Sequence, residues 1–422
     1  MTNWKEYKLG EVATFIDYRG KTPKKTTSGV PLVTAKIVKS GTIQTPTEFI
    51  AKEDYASWMT RGFPKLGDVV LTTEAPLGEV AQIKDPSFAL AQRIITIRGK
   101  DNVLDNGYLK YFLQSAKGQH RLKEKETGTT VTGIKSSELK QVLISAPDYN
   151  AQTAIAEIFS SLDDKIELNN KINQELESLA QTLFKQWFID FEFPNENGEP
   201  YKSSGGEMID SELGEIPKGW EVKPIGDLFD FLEGPGLRNW QYRHEGMPFI
   251  NIRLIQNGDI LVKNSSFISI DEFNQKYCHF ALQNGDMVVS TSGTLGKSAI
   301  VRESHLPLML NTSVIRFRPT ENNLRSFMYQ YLQSNYFLDD LKSQASGSVQ
   351  LNFGPMHLKR MSLIKPTSNL LYAFEEASGE LYNTILTNRE ENQELTNLRD
   401  TLLPKLISGE LEVSDALTQT TA

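Results

Sequence analysis

The chain has 422 residues, enough for two or three domains, and its 39% hydrophobic content is enough for buried cores. No run of eighteen apolar residues occurs and the N-terminal MTNWKEYKLG lacks a signal-peptide pattern, so a soluble cytoplasmic protein without membrane contact is expected. The single cysteine, Cys278, excludes an internal disulfide framework and a multi-cysteine zinc site, and the net charge of −8, taken as a total, argues against a nucleic-acid binder.

Residues 1–149 read as a mixed α/β unit. Trp4 to Phe15 opens it, and a polar, basic loop follows, Tyr18-Arg19-Gly20-Lys21-Thr22-Pro23-Lys24-Lys25. Strands are expected over Val30 to Ala35, over Val69 to Leu71 after the turn Leu66-Gly67-Asp68, and over Ile94 to Arg98. Gly107 to Ser115 has a helical pattern, Thr127 to Lys135 is a Thr/Gly loop, and Leu139 to Pro147 is a last strand.

Residues 150–192 follow as a long helix. Asn150 to Phe188 contains neither Gly nor Pro, and Ile155, Leu162, Asn169, Leu176 and Leu183 recur every seven residues. Ile158, Ile172 and Leu179 fall three positions later, with Lys165 breaking that run. This is an a/d stripe, the pattern of a helix packed along another helix. At 1.5 Å per residue the stretch makes a rod of about 57 Å, too long and too narrowly striped for an ordinary core helix.

The Gly-, Pro-, Ser- and Glu-rich segment 193–219 reads as an exposed linker. Residues 220–368 then repeat the first unit. Trp220 to Lys223 answers Trp4 to Tyr7, Met247 to Ile250 answers Val30 to Val33, Gly285 to Val289 answers Gly67 to Leu71, and Tyr331 to Ser334 answers Phe112 to Ser115. Residues 369–411 form a second long helix, followed by a tail over 412–422. Its stripe, Phe374, Leu381, Asn388, Leu395 and Leu402, is the first stripe moved by 219 positions. The chain is one half written twice. A buried Asn at an a position fixes register at some cost in stability, and both stripes carry one; shared descent alone is the simpler alternative.

The charge divides along the same boundaries. Residues 1–147 hold 22 Lys+Arg against 15 Asp+Glu, and 221–366 hold 15 against 13. The helix and linker over 148–220 hold 5 against 15, and 367–422 hold 3 against 10. Phosphate binding depends on the local field, so the basic excess of the first unit is compatible with DNA; acidic helices are also ordinary solvated faces.

Recognisable chemistry is absent from the sequence. Gly293 to Ser298 ends like a phosphate-binding loop, but Thr291 stands where the motif needs Gly; Gly20-Lys21-Thr22 fails likewise at Phe15. Pro147-Asp148 with Asp163-Asp164-Lys165 matches a loose nuclease pattern, yet the second part lies inside the helix. The five histidines show no metal spacing with one another or with Cys278.

The order of unit, helix, a Gly-Glu-Ile-Pro-Lys-Gly-Trp lead-in at 214–220, unit and helix resembles the specificity (S) subunits of type I restriction–modification enzymes. Ala154 to Phe191, AIAEIFSSLDDKIELNNKINQELESLAQTLFKQWFIDF, is similar to the central helix of that family, and Leu398 to Leu411 is similar to its distal helix. The resemblance covers nearly the whole chain. It is specific in the helices and weak inside the globular units. It implies an α+β fold: two α/β target-recognition domains in a pseudo-twofold repeat, separated by two long helices in an antiparallel coiled coil. It further implies that each domain reads one half of a bipartite double-stranded DNA site, that the helices set the spacing, and that two methyltransferase (M) subunits and then restriction (R) subunits join. S-adenosylmethionine would bind M, and ATP and Mg²⁺ would serve R; neither a cofactor, a metal nor a catalytic residue is expected in this chain.

Within that reading the candidate DNA contacts are Arg19, Lys21, Lys36, Thr130 and Lys135 in the first unit. In the second they are Arg238, Tyr242, Arg243, Arg253, Ser348, Gln350 and Asn352. Lys and Arg would hold phosphates, while Arg, Gln, Asn, Thr and Ser would read base edges; each is otherwise an ordinary solvated loop residue. Two rivals stay open: a fused nuclease or methyltransferase with unrecognised motifs, and a coiled-coil scaffold that reads no DNA.

Overall fold

A computed structural model of the chain describes residues 4–20, 22–128, 132–292, 295–344 and 353–413. Lys21, Thr130, Ser348, Gln350 and Asn352 lie outside the described residues. The chain forms two compact units, one of residues 1–167 with 393–422 and one of residues 168–392.

In the first unit, β1 (Lys5–Lys8) pairs with β6 (Leu143–Ala146), so the unit's two chain ends lie side by side. Between them, β2 (Ala13–Asp17), β3 (Val69–Thr73), β4 (Leu77–Gln82) and β5 (Ile94–Gly99) form an antiparallel sheet in the order β2-β5-β3-β4. All five residues of β3 are buried because both faces of the sheet are covered. Val69 and Leu71 enter one core with Ile95 and Ile97, and Val70 enters a second with Ala81 and Ile94. A strand with two covered faces needs an unbroken apolar run, and Val-Val-Leu supplies it. Two helices lie on the first core, α1 (Asn106–Gln114) and α2 (Ala116–Lys123). Each begins where a side chain closes its first turn. Asp105 Oδ1 accepts from Tyr108 N at 2.8 Å, and Ser115 Oγ accepts from Gly118 N at 3.1 Å.

The long helix α3 (Tyr149–Phe184) follows β6 and ends in a π turn over Lys185–Ile189. The segment expected as a plain linker is folded in part. Strands β7 (Met208–Ser211) and β8 (Gly214–Pro217) form a hairpin, and Phe193 stacks on Tyr201 and Trp220 at 4.5 and 5.3 Å. Phe193, Ile216 and Trp220 join the second unit's core, which is why the segment is held although most of it is exposed.

The second unit repeats the plan. β9 (Glu221–Pro224) pairs with β14 (Ser362–Lys365), and β10 (Phe229–Glu233), β11 (Met287–Ser290), β12 (Ser298–Ile300) and β13 (Val314–Pro319) form a sheet in the order β10-β13-β11-β12. Met287 and Val289 face one core, and Val288 the other. Helices α4 (Arg325–Gln333) and α5 (Asn335–Gln344) answer α1 and α2. A buried aspartate staples each sheet at the same place. Asp68 accepts from Arg98 Nε and Nη2, both at 2.7 Å, and Asp286 from Arg318 at 2.7 and 2.9 Å.

The second long helix, α6 (Ser368–Ser408), packs on α3 in both units. Within the second unit the partner numbers fall on α6 as they rise on α3, so the helices run antiparallel. Asn169 Nδ2 donates to Asn392 Oδ1 at 2.9 Å, and Asn388 Nδ2 donates to Asn173 Oδ1 at 2.8 Å. Phe184 then meets Phe374. The 219-residue repeat carries Asn169 onto Asn388 and Asn173 onto Asn392, so these two pairs are images of each other. Arg389 adds an ion pair to Glu177 at 2.7 Å.

The seam departs from a strict a/d stripe. Ile155, Leu162, Asn169, Phe374 and Leu402 are buried, and Leu176, Leu183 and Leu395 are partly buried against the cores. Ile172 and Leu179, expected in the d positions, are 38% and 48% exposed, and Asn173 and Ala180 take the buried places. On α6, Leu381 is partly exposed while Tyr382 and Ile385 are buried. Each helix also packs on a helix of its globular unit, through Tyr111 against Phe159 and through Tyr329 against Tyr382, both at 5.0 Å. On α6 the second contact draws Tyr382 into the buried face.

Candidate nucleic-acid interface

In each unit one edge of the central sheet gathers the described parts of the loops singled out from the sequence. In the first unit these are the loop after β2, the β3–β4 turn, the residues before β5 and the loop over 127–135. The joining bonds are specific. Ile134 N donates to Thr73 O at 3.0 Å, Glu74 bridges to Gly133, Glu74 pairs with Arg93 at 3.0 Å, and Thr22 Oγ1 donates to Gln92 Oε1 at 3.3 Å.

Arg19 holds this edge together. Its Nε and Nη2 grip the Asp17 carboxylate at 3.0 and 2.7 Å, and its Nη1 donates to Ile134 O at 3.0 Å. Burial alone would raise the Asp17 pKa, but the hydrogen bonds and charge of Arg19 hold it below the ordinary carboxylate value. Arg61 Nη1 donates to the carbonyls of Asp17 and Arg19 at 2.7 and 2.9 Å. Tyr18 turns inward, stacked on Trp58 at 5.6 Å, with its hydroxyl donating to Gly62 O. Arg19, chosen from the sequence as a DNA contact, thus has its guanidinium turned into the protein. Lys135 is exposed on the same edge.

The second unit builds the edge from different residues. The chain leaves β10 at Gly234, where a Cβ would stand 2.3 Å from the Asn311 carbonyl oxygen, so only glycine fits. Thr312 N donates to Pro235 O, and Leu237 is buried against Phe249 and Met309. Arg238, Tyr242 and Arg243 follow and are exposed. Across the edge, the β11–β12 turn is closed by Lys297 N donating to Ser290 Oγ at 2.9 Å, and Phe353 N donates to Thr291 O at 3.2 Å.

Lys36 and Arg253 occupy matching exposed turns in the two units, each ahead of a short hairpin, Val38–Lys39 with Thr42–Ile43 and Ile255–Gln256 with Asp259–Ile260. Among the described residues, neither is hydrogen-bonded or ion-paired to the loop edge. Reasoning from the sequence passed over Trp240, which is 72% exposed between Arg238 and Tyr242. The signal was there: an aromatic between cations in a loop, in the run LRNWQYR.

Each hairpin turn borders a groove against the long helices. One, of about 370 Å³, is lined by Ser40, Gly41, Gly78, Gln114, Asp163 and Arg399; the other, of about 260 Å³, by Asn257, Gly258, Gly296, Gln333, Tyr382 and Arg389. At the first, Asp163 accepts from Lys110, Tyr111 and Arg399 at 2.8, 2.7 and 2.9 Å. Burial opposes ionisation of Asp163, but Lys110 and the hydrogen bonds overcome it and lower the pKa. At the matching place on α6 the network is neutral, with Gln330 donating to the Tyr382 hydroxyl at 2.7 Å. Among the described residues no cluster of His, Cys, Asp or Glu side chains is arranged to hold a metal ion, and no helix is long and apolar enough to cross a membrane.

Two α/β units on one plan, two long helices shared between them, and a different loop edge on each unit define a duplicated recognition protein. The chain belongs to the family of the type I restriction modification DNA specificity domain, whose model matches residues 1–178 and 217–369. It is 30% identical over 365 residues to the type I restriction enzyme MjaIX specificity subunit of Methanocaldococcus jannaschii, covering 84% of this chain and 80% of that one. It is 24% identical to the HindI specificity subunit of Haemophilus influenzae, covering 97% and 100% of the two chains. The fold is similar to the crystal structure of the type I restriction–modification S subunit from M. genitalium, with a TM-score of 0.59, 18% identity and 96% of each chain covered. The chain is a specificity subunit of a type I restriction–modification complex, not its catalytic part, and its partners are DNA and the other subunits.

Proposed function

We propose that the two loop edges each read one half of a bipartite double-stranded DNA site, and that the paired helices set the spacing between the halves. The observation that carries this reading is one scaffold bearing two unlike edges. β2-β5-β3-β4 and β10-β13-β11-β12 share strand order, while their loops differ in both sequence and anchoring. The described parts of the edges are anchored by different residues, Arg19 on Asp17 and Ile134 in one unit and Gly234 against Asn311 in the other. Phosphate contacts would position each domain, and base-edge and shape readout would specify the sequence.

The same reading places two methyltransferase subunits on the helices. The grooves beside Asp163 and Tyr382 give two related docking places, and Leu168, Ile172 and Leu179 form an exposed apolar stripe on one face of α3. Restriction subunits then join, S-adenosylmethionine is bound by M, ATP and Mg²⁺ serve R, and the assembly works in the cytoplasm.

The test is a domain exchange. Residues 1–147 are replaced by those of a relative with a different target, the chimera is expressed with its M partner, and methylated adenines are mapped across the host genome. One half-site is expected to change while the other half and the spacer length stay. A change in both halves at once, or no methylation pattern that depends on this chain, would defeat the reading.

A further inference from the structure

We propose that Trp240 is a stacking wedge. Its indole enters the base stack of the half-site met by the second domain and opens one step there, beside the base to be modified. The proposal rests on the reading of the chain as a DNA reader.

A single exposed apolar side chain is ordinary. What distinguishes Trp240 is that the backbone on both sides of it is pinned while the indole is left in solvent. It sits on a single 3-10 turn, Asn239–Gln241, and is the most exposed large apolar side chain among the described residues, at 72%. Its neighbour Gln241 is buried, accepts from Arg238 N at 2.7 Å, and donates to Glu272 Oε1 at 2.7 Å and to the Tyr277 hydroxyl at 3.2 Å. On the other side, Arg243 N donates to Phe267 O, and Arg243 Nη1 donates to the carbonyls of Trp240 and Tyr242, both at 2.9 Å. The Tyr242 ring packs on Phe249 at 5.0 Å. An indole held out from a fixed turn loses little freedom when it is inserted, so most of its stacking energy appears as affinity.

The surroundings select the ligand. Arg238, Arg243 and His244 are exposed beside the indole, which suits a stack of bases flanked by phosphates. A methyltransferase must draw its target base out of the helix, and a side chain that unstacks a neighbouring step lowers that cost. Among the described residues, the matching loop of the first domain carries no exposed aromatic. The only aromatic residue in its matching loop, Tyr18, is buried against Trp58. The device is therefore assigned to the half-site met by the second domain.

The experiment uses the full chain assembled with M and a duplex carrying the target found by methylation mapping. 2-Aminopurine is placed beside the methylated adenine of either half-site. Trp240→Ala is expected to weaken target binding by about tenfold to a hundredfold, Trp240→Phe to keep most of it, and neither to change the melting temperature of the chain. The probe in the second domain's half-site should brighten with wild type and Trp240→Phe and stay dim with Trp240→Ala; the probe in the other half-site should brighten equally with all three. Wild-type affinity and brightening in Trp240→Ala would overturn the wedge. So would reduced recovery of M with unchanged DNA affinity of the remaining complex, which would assign the indole to a protein interface. If the wild-type complex does not prefer the target over a scrambled duplex, the functional reading itself falls and the wedge with it.

Discussion

Arg19 and Arg238 begin the loops of their respective edges, and their side chains are used differently. The Arg19 guanidinium is consumed by Asp17 and Ile134 O, whereas Arg238 is exposed and it is its backbone N–H and carbonyl that Gln241 engages. A cation that neutralises a phosphate releases counterions, so its loss lowers the slope of log affinity against log salt by about one. Arg238→Ala is therefore expected to reduce that slope by about one and weaken binding to all sequences alike. Arg19→Ala is expected to weaken binding to its own half-site by loosening the edge, with the slope unchanged. Titrations of the complex with M at several salt concentrations separate the two. Asp163 makes a second residue-scale prediction. Its lowered pKa means that its stabilisation is complete above the unfolded carboxylate value near 4 and is lost as pH falls through the lower folded value. Asp163→Asn should thus cost about 1–3 kcal/mol, with a melting-temperature gap to wild type that is constant from pH 8 to 5 and narrows only below pH 4. A gap that closes between pH 7 and 5 would show that the network draws its strength elsewhere.

At the scale of elements, the paired asparagines make the sharpest prediction. Asn388 donates to Asn173, and both positions lie in the seam. Asn388→Leu leaves the buried Asn173 Oδ1 without its donor, and Asn173→Leu leaves the half-buried Asn388 amide without its acceptor, so each should cost about 1–3 kcal/mol, the first more than the second. The double change removes both amides, so it should cost less than the two singles together. A double-mutant cycle in urea unfolding should return a coupling of about 1 kcal/mol or more, and strict additivity would remove the pair from the list of register determinants. How much of these elements could be read beforehand follows from how local their causes are. α3, α6 and the buried strands were legible because helical period and apolar runs are properties of the segment itself. The true seam was not, since the places of Asn173 and Tyr382 are set by contacts to Ile385 and Asn388 of α6 and to Tyr329 of α4, which lie far from them in the chain. The hairpin over 208–217 was hidden for a related reason: its polar composition describes its exposed outside, while Phe193 and Trp220 anchor it. At the candidate interface, the loops were legible from their composition. Which side chains face outward was not, because Arg19 and Tyr18 are turned in by Ile134, Trp58 and Gly62, contacts without a sequence signature.

For the molecule as a whole, the proposed spacing role of the helices has a metric consequence. Because α3 and α6 run antiparallel with Asn169 opposite Asn392, an insertion must be made in both at facing positions to keep the seam. Seven residues after Glu167 and seven after Asn392 meet that condition and preserve the apolar stripe, since a heptad returns each helix to its face within about 20°. The addition lengthens the pair by about 10.5 Å, which is about three base pairs of B-DNA. Three base pairs also rotate the second half-site by roughly 100° around the DNA axis at about 10.5 pairs per turn, and a heptad does not supply that rotation. Length and azimuth therefore compete, and the DNA must twist or bend to satisfy both, which costs free energy. The expected outcome is methylation at sites whose two half-sequences are unchanged and whose spacer is longer by two to four pairs, with weaker binding than the wild-type complex shows for its own site. Five residues inserted at the same two places would turn each stripe by about 140°, off the seam, and should prevent stable assembly instead. Methylation mapping of both variants decides the matter: an unchanged spacer in the heptad variant would mean that something other than the paired helices measures the distance.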